Sequence, residues 1–255
     1  MSQGRPTSSP LPRAEYDAVL LDLDGVITDT ARIHAQAWKV MFDEYLRAHA
    51  ARAHQPFRPF EIHSDYALHV DGKSRADGVR DFLKSRGILL PDGTADDPPL
   101  RETVCGLGNR KNALLNETIS TGGVAVYPDS VDLLHKLQAC GFKMAVVTSS
   151  QNCASVLNAA GLAEMFDLQI DGNVIRDRHL AGKPAADAFL SAAKALQVAP
   201  SRAVVVEDAI SGVQAGRNGN FGLVVGVART GNHAELKRHG ADIVVSDLAE
   251  LRVEC

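Results

Sequence analysis

The chain has 255 residues, 45% of them hydrophobic, and a formal net charge of -4. That length allows one large α/β domain, alone or with a small insert, and the composition suits an ordinary globular core. The charge gives no electrostatic reason to expect nucleic acid or an anionic membrane as partner, and no apolar run reaches bilayer-spanning length.

Residues 1–14 are rich in Ser, Pro and Arg and lack an apolar stretch, so they read as a disordered tail, neither signal peptide nor anchor. Ala18-Val19-Leu20-Leu21, followed by turn chemistry, suits a buried parallel strand. Residues 31–50 read as a helix with Ile33, Ala37, Val40, Met41 and Tyr45 on its stripe. Pro56 and Pro59 break that pattern. Short helical signals follow over 74–86 and 109–120, stopped by Gly87 and by Gly122-Gly123, with no strong strand among them. This stretch, 33–123, reads as a helical insert.

Beyond Pro128 strands alternate with helices. The expected helices are 129–139, 152–160, 184–196 (with Pro184 in its first turn) and 209–217, and the expected strands are 143–147, 166–170, 203–206 and 223–227. The fold class expected is α/β: a Rossmann-like parallel sheet with helices on both faces and an inserted helical cap domain. Residues 15–32 and 124–255 would form the catalytic core and 33–123 the cap. Cys105, Cys140, Cys153 and Cys255 share no short spacing, which speaks against a zinc site or a disulfide framework and for reduced thiols in the cytoplasm.

In an open parallel sheet, ligands sit beyond the carboxyl ends of the strands. Four polar groups fall there: Asp22 with Asp24, Thr148 with Ser149, Lys183, and Glu207 with Asp208. One such residue alone would read as a turn or cap. Four at one edge call for a site. Asp22 and Asp24 point to one side of an extended segment, and two close carboxylates need a cation. Oxygen donors alone suit Mg²⁺, which would also screen a carboxylate nucleophile from a phosphate dianion. Thr148 offers a hydroxyl beside a helix start, and Lys183 a compact positive charge.

Asp22-Leu23-Asp24-Gly25-Val26-Ile27-Thr28-Asp29, Val147-Thr148-Ser149-Ser150, Gly182-Lys183-Pro184 and Val206-Glu207-Asp208 resemble the four ordered motifs of the haloacid dehalogenase superfamily. Thr30, His34, Trp38, Lys73-Ser74-Arg75 and the run 181–187 resemble its β-phosphoglucomutase-like family. The resemblance implies Asp22 as nucleophile and Asp24 as general acid/base, with its backbone carbonyl toward Mg²⁺. It implies that Thr148 and Lys183 hold the transferring phosphoryl group. Metal would be served by Asp22, Asp24, Glu207 and Asp208, and substrate by Thr30, His34, Trp38, Arg75, Ser149, Ser150 and Asn152. Arg75 would grip a second phosphate.

Without the resemblance, Trp38 reads as core, Arg75 as a solvated charge, and His49, His54 and His63 as surface residues. The chain departs from the family pattern at Thr148, where many members carry Ser, at Gln151, where the best-known mutases carry Lys, and in extra residues over 49–63. The implied activity is interconversion of β-glucose 1-phosphate and glucose 6-phosphate through an aspartyl phosphate and a glucose 1,6-bisphosphate. The alternatives are a Mg²⁺-dependent sugar-phosphate phosphatase and, from a different class, a non-catalytic sugar-phosphate-binding protein. The partner expected is a small sugar phosphate, with no nucleic acid and no membrane, on a monomer or weak dimer.

Overall fold

The structure is a computed structural model that describes residues 9–255. In chain order its elements are β1 (Ser9–Pro12), β2 (Ala18–Leu21), α1 (Ala31–Arg52), a π-helical segment (Ile62–Val70), α2 (Arg75–Ser85), α3 (Val104–Gly122), α4 (Pro128–Ala139) and β3 (Lys143–Val147). There follow α5 (Cys153–Ala159), β4 (Leu168–Ile170), α6 (Gly172–Asp177), α7 (Asp187–Ala195), β5 (Ala203–Glu207), α8 (Ile210–Asn218), β6 (Leu223–Val227), α9 (His233–Arg238), β7 (Ile243–Val245) and β8 (Leu251–Glu254). The chain divides into two compact units, one made of residues up to Asp29 together with Ala125–Cys255, the other Thr30–Val124.

The first unit is built on a six-stranded sheet of order β4-β3-β2-β5-β6-β7, parallel throughout. Its central strands are short aliphatic runs buried on both faces, as a covered parallel sheet requires. Alternation sends Ala18, Leu20, Ala145, Val147, Ala203 and Val205 to one face, where Phe189 and Ala192 of α7, Val213 of α8 and Leu236 of α9 complete the core. Val19, Leu21, Met144, Val146, Val204 and Val206 face the other way. There α4 covers β3, on the side a right-handed crossover demands. Strand order reverses at β2: the chain proceeds from β2 to β3 on one side and returns to β5 on the other. The carboxyl ends of β2, β3 and β5 therefore share one crevice, where ligands of such sheets bind.

The second unit is helical. Trp38, Met41, Phe42 and Tyr45 of α1 pack with Phe60, Val70, Val79, Phe82, Leu83, Val104 and Leu107. Phe42 is the hub, with ring centroids 5.2 Å from Trp38, 5.1 Å from Phe60 and 4.3 Å from Phe82. The extra residues before Phe60 are tied to α1 by two charges. Asp43 accepts the Phe60 N–H at 2.7 Å, and Lys39 donates to Asp43 at 3.1 Å and to the Phe60 carbonyl at 2.7 Å. Ser74 and Thr103 cap α2 and α3, accepting from the N–H groups of Asp77 and Gly106.

Several expectations are corrected. Residues 9–12 are not part of a disordered tail: they form β1, paired in parallel with β8, while residues 1–8 lie outside the described residues. The helix expected from Pro184 begins at Asp187, because residues 182–185 close a turn through the Ala185 N–H and the Gly182 carbonyl. The cysteines are not all reduced. Cys140 and Cys255, with Cα atoms 5.0 Å apart, form a disulfide between the end of α4 and the end of β8, leaving Cys105 and Cys153 free. The short α6, α9 and β7 carried too little periodic signal to stand out in the sequence. Among the described residues no helix is long and apolar enough to cross a membrane.

Candidate active site

Asp22 follows β2 directly, and its N–H donates to the Val206 carbonyl at 3.0 Å, which extends the β2–β5 ladder by one bond. Glu207 closes β5, and Thr148 follows β3 with its N–H on the Ile170 carbonyl at 2.9 Å. Lys183, from the turn before α7, reaches under this edge. Its Nζ donates to Asp22 Oδ1 at 2.6 Å, to Glu207 Oε1 at 2.5 Å and to the Val147 carbonyl at 3.1 Å. The Phe189 ring lies 5.1 Å from the same ammonium.

Lys183 and Glu207 are sealed from solvent and Asp22 almost so. Burial works to discharge Lys183, yet the carboxylates of Asp22 and Glu207 outweigh it and hold the ammonium above its ordinary range. Burial likewise raises Glu207, with Lys183 opposing and Asp22 adding to the rise. Glu207 also accepts the Ala209 N–H at 3.0 Å, and its carboxylate fills the space a side chain at Gly212 would need. Its oxygens thus join Lys183 to the start of α8.

Asp22 and Asp24 flank Leu23, which is fully buried and anchors the turn. Gly25 has φ of 90°, and a Cβ there would overlap the Asp208 carboxylate. Only glycine meets both demands. The first and fourth motifs therefore touch through backbone and carboxylate. Asp22 and Glu207 share one ammonium, and the Asp208 carboxylate lies against Gly25, the residue after Asp24. Such an oxygen-only, net anionic donor set fits a hard divalent cation. Among the described residues no three acidic, His or Cys side chains form a ready-made cage, so a backbone carbonyl and water would complete the coordination.

On the β3 side, Thr148 is buried and its Oγ1 accepts the Ser150 N–H at 3.1 Å, while Ser150 Oγ accepts the Asn152 N–H at 3.2 Å. These bonds set the loop through Ser149 to Asn152, the residue before α5. Cys153 lies behind it. Burial pushes its thiol up, with Asp171, Asp24 and Asp22 adding to the rise, so it is no nucleophile.

The remaining site candidates lie in the helical unit. Thr30 is buried and its carbonyl receives the His34 N–H at 2.8 Å. His34 Nδ1 stands 3.1 Å from Lys111 Nζ. An ammonium can only donate, so Nδ1 accepts and the imidazole is neutral. Burial, then Lys111 and Arg75, drive its pKa well below the usual histidine value. Trp38 is a member of the unit's core, with its ring 5.3 Å from Lys111 Nζ. Arg75 opens α2, with Nη1 3.4 Å from the Gly108 carbonyl and 3.4 Å from Asn109 Oδ1.

Lys111, which is 2% exposed, lies outside the motifs named above. A lysine on the inward stripe of α3, beside Leu107 and Leu115, was the signal for it. Arg229, just past the end of β6, was missed too, although the strand-end rule covers it.

The switch-point crevice thus holds a buried carboxylate–lysine–carboxylate set. The haloacid dehalogenase-like hydrolase model matches residues 16–220, and the chain belongs to that family. Within it the chain is of the β-phosphoglucomutase-like kind. It is 53% identical over 237 residues, 92% of this chain and 90% of the relative, to proteins named β-phosphoglucomutase in Mycobacterium bovis and Mycobacterium tuberculosis. The crystal structure of β-phosphoglucomutase from Clostridium difficile superimposes with a TM-score of 0.71 at 26% identity, over 93% of each chain.

Proposed function

We propose that this chain is a phosphomutase that interconverts β-D-glucose 1-phosphate and D-glucose 6-phosphate through an aspartyl-phosphate enzyme and a glucose 1,6-bisphosphate intermediate. The observation that carries the proposal is the 53% identity to β-phosphoglucomutases over 92% of the chain. The intact Lys183 link between Asp22 and Glu207 supports it.

In this reading Asp22 Oδ attacks the phosphorus in line, and the P–O bond to the departing sugar oxygen breaks. Asp24 gives that oxygen a proton, then takes one from the sugar hydroxyl that accepts the phosphoryl group. Lys183, kept charged by its two carboxylates, offsets the negative charge on the transferring group. The Thr148 hydroxyl and the N–H groups of the Ser149–Asn152 loop bind the same oxygens. Asp22, the Asp24 carbonyl and Asp208 would hold Mg²⁺, which supplies positive charge to the phosphoryl oxygens when bound. Glu207 serves it through Lys183. In the helical unit, Arg75 and Lys111 engage the phosphate that is not being transferred, and Thr30, His34 and Trp38 shape the sugar site.

A hydroxyl wins over water at about 55 M because a well-placed intramolecular acceptor reaches effective molarities on the order of 10⁵ M or more. The test follows glucose 6-phosphate and inorganic phosphate from β-glucose 1-phosphate, with Mg²⁺ and a trace of the bisphosphate. Glucose 6-phosphate is expected as the main product. Mainly inorganic phosphate would overturn the mutase in favour of a phosphatase, and no product at all would favour a binding protein.

A further inference from the structure

Arg229 stands at the same carboxyl edge of the sheet as Asp22, Thr148 and Glu207, and no step above uses it. All three nitrogens of its guanidinium are engaged. Nε donates to the Gly25 carbonyl at 3.2 Å, and Nη2 to the Val26 carbonyl at 3.2 Å, to Asp129 Oδ2 at 2.8 Å and to Ser130 Oγ at 2.9 Å. Nη1 donates to Asp129 Oδ1 at 3.3 Å, and the group lies 3.6 Å from the centroid of the Tyr127 ring. The seat itself is braced. Ser130 Oγ donates to the Val26 carbonyl at 2.7 Å, Asp129 accepts the Leu248 N–H at 2.7 Å, and Tyr127 donates to Asp29 Oδ1 at 3.0 Å.

Gly25 and Val26 are the two residues after Asp24. Gly25 is the residue of that turn with the widest conformational freedom, and it sits at φ of 90°. Each peptide group is planar, so binding a carbonyl oxygen sets the orientation of the whole plane. The Gly25 N–H donates to the Thr28 carbonyl at 2.8 Å and sets the peptide plane before Gly25, while the two carbonyls bound by Arg229 set the planes after it, so the turn that leaves Asp24 is held on both sides. Lysine could not do this. The task needs donors on three nitrogens in one plane, with one face against an aromatic ring.

We propose that Arg229 is a positioning residue for the phosphoryl transfer: by fixing the Gly25 and Val26 carbonyls it holds Asp24 where it can pass a proton to and from the sugar oxygen. The inference rests on the acid/base role read for Asp24 above. An ion pair that only braced the start of α4 would affect every substrate alike. A residue that places the acid affects donors whose leaving group needs a proton far more than those whose leaving group does not.

The experiment measures incorporation of a labelled phosphoryl group into Asp22 in a single turnover, with two donors and Mg²⁺. Glucose 1,6-bisphosphate must release a sugar oxygen and needs the proton. Acetyl phosphate breaks its P–O bond to release acetate, which carries the electron pair away unprotonated. Arg229→Ala is expected to slow transfer from the bisphosphate by about 10- to 100-fold, part of the 10²–10⁴ that general acid–base catalysis supplies. Transfer from acetyl phosphate should change less than about threefold, and Arg229→Lys should recover only part of the loss, since one ammonium cannot replace the fork. Equal losses on both donors, or no selective loss, overturn the proposal. Asp24→Asn runs beside them. If it discriminates between the donors and Arg229→Ala does not, Arg229 alone is misread. If it fails to discriminate, the acid/base reading of Asp24 falls, and the proposal with it. Should Arg229→Ala not fold, Asp129→Asn keeps the shape of the seat while loosening the guanidinium, and the same selective loss is required of it.

Discussion

Lys183 Nζ lies 2.6 Å from Asp22 Oδ1, a contact between residues 161 positions apart in the chain. The same ammonium reaches Glu207, so one buried cation is shared by two carboxylates. Lys183→Met keeps the bulk and removes the charge, leaving both carboxylates buried without a counter-ion. Breaking a buried pair in this way costs about 3–5 kcal/mol. Denaturant unfolding should show a loss of that size, and turnover should fall to background. An unchanged unfolding midpoint would refute the account of Lys183 as the charge that holds this crevice together.

Gly25→Ala meets two obstacles, a φ of 90° and overlap with the Asp208 carboxylate. The backbone term alone costs about 1–2 kcal/mol. More of the effect should appear in function, because relief of the overlap must move Asp208. We expect turnover to fall at least tenfold and the Mg²⁺ concentration for half-maximal rate to rise. A variant that lost stability with both kinetic parameters intact would show that the contact has no part in the site.

Arg75→Ala should weaken the mutase reaction more than hydrolysis of a small phosphate ester that lacks a second phosphate. Removing one charge-assisted contact of this kind costs about 1.5–3 kcal/mol, roughly 10- to 100-fold in kcat/KM. Equal losses on the two substrates would count against a role in holding the second phosphate.

His34 accepts a hydrogen bond from Lys111, and burial with two neighbouring cations holds it neutral. Its folded pKa lies below the unfolded one, so the unfolded chain binds the extra proton as pH falls. The stability is fully present above about pH 6.5 and drains away below it, at up to about 1.4 kcal/mol per pH unit until the depressed folded value is reached. His34→Gln lacks that proton. The stability difference between the two proteins, followed by thermal or denaturant unfolding from pH 7.5 to 5, should shift against the wild type on acidification. A constant difference would contradict the neutral imidazole.

The Cys140–Cys255 disulfide closes a loop of 115 residues and fastens β8, and with it β1, to α4. Such a bridge contributes about 2–4 kcal/mol. Reductant should lower the melting temperature of the wild type while leaving that of Cys255→Ser unchanged. Equal sensitivity in both would show that the bridge plays no part.

Much of the first unit could be read from the chain alone, because its strands are short aliphatic runs with polar residues at their ends. Lys143–Val147 and Leu223–Val227 begin and end where the pattern says, and the edge rule picks out Asp22, Thr148, Lys183 and Glu207 before any coordinate is known. The rule works because burial of both sheet faces forces polarity to the strand ends. Elements with three to six residues, such as β7 and α9, hold too few positions to show a period. The turn at 182–185 also escaped, since Pro184 reads equally well as the first residue of a helix.

Local pattern thus set the class of fold, the order of the strands' polar ends and the motif that carries Asp22. It could not set which charges meet. That Glu207 pairs with Lys183, that Cys140 finds Cys255, that Lys111 sits against His34, and that Arg229 binds the two carbonyls after Asp24 all depend on residues 24 to 204 positions apart converging. The reason is physical. Periodicity and turn chemistry act over a few residues, whereas the energy of a buried charge is settled by whatever the fold packs beside it.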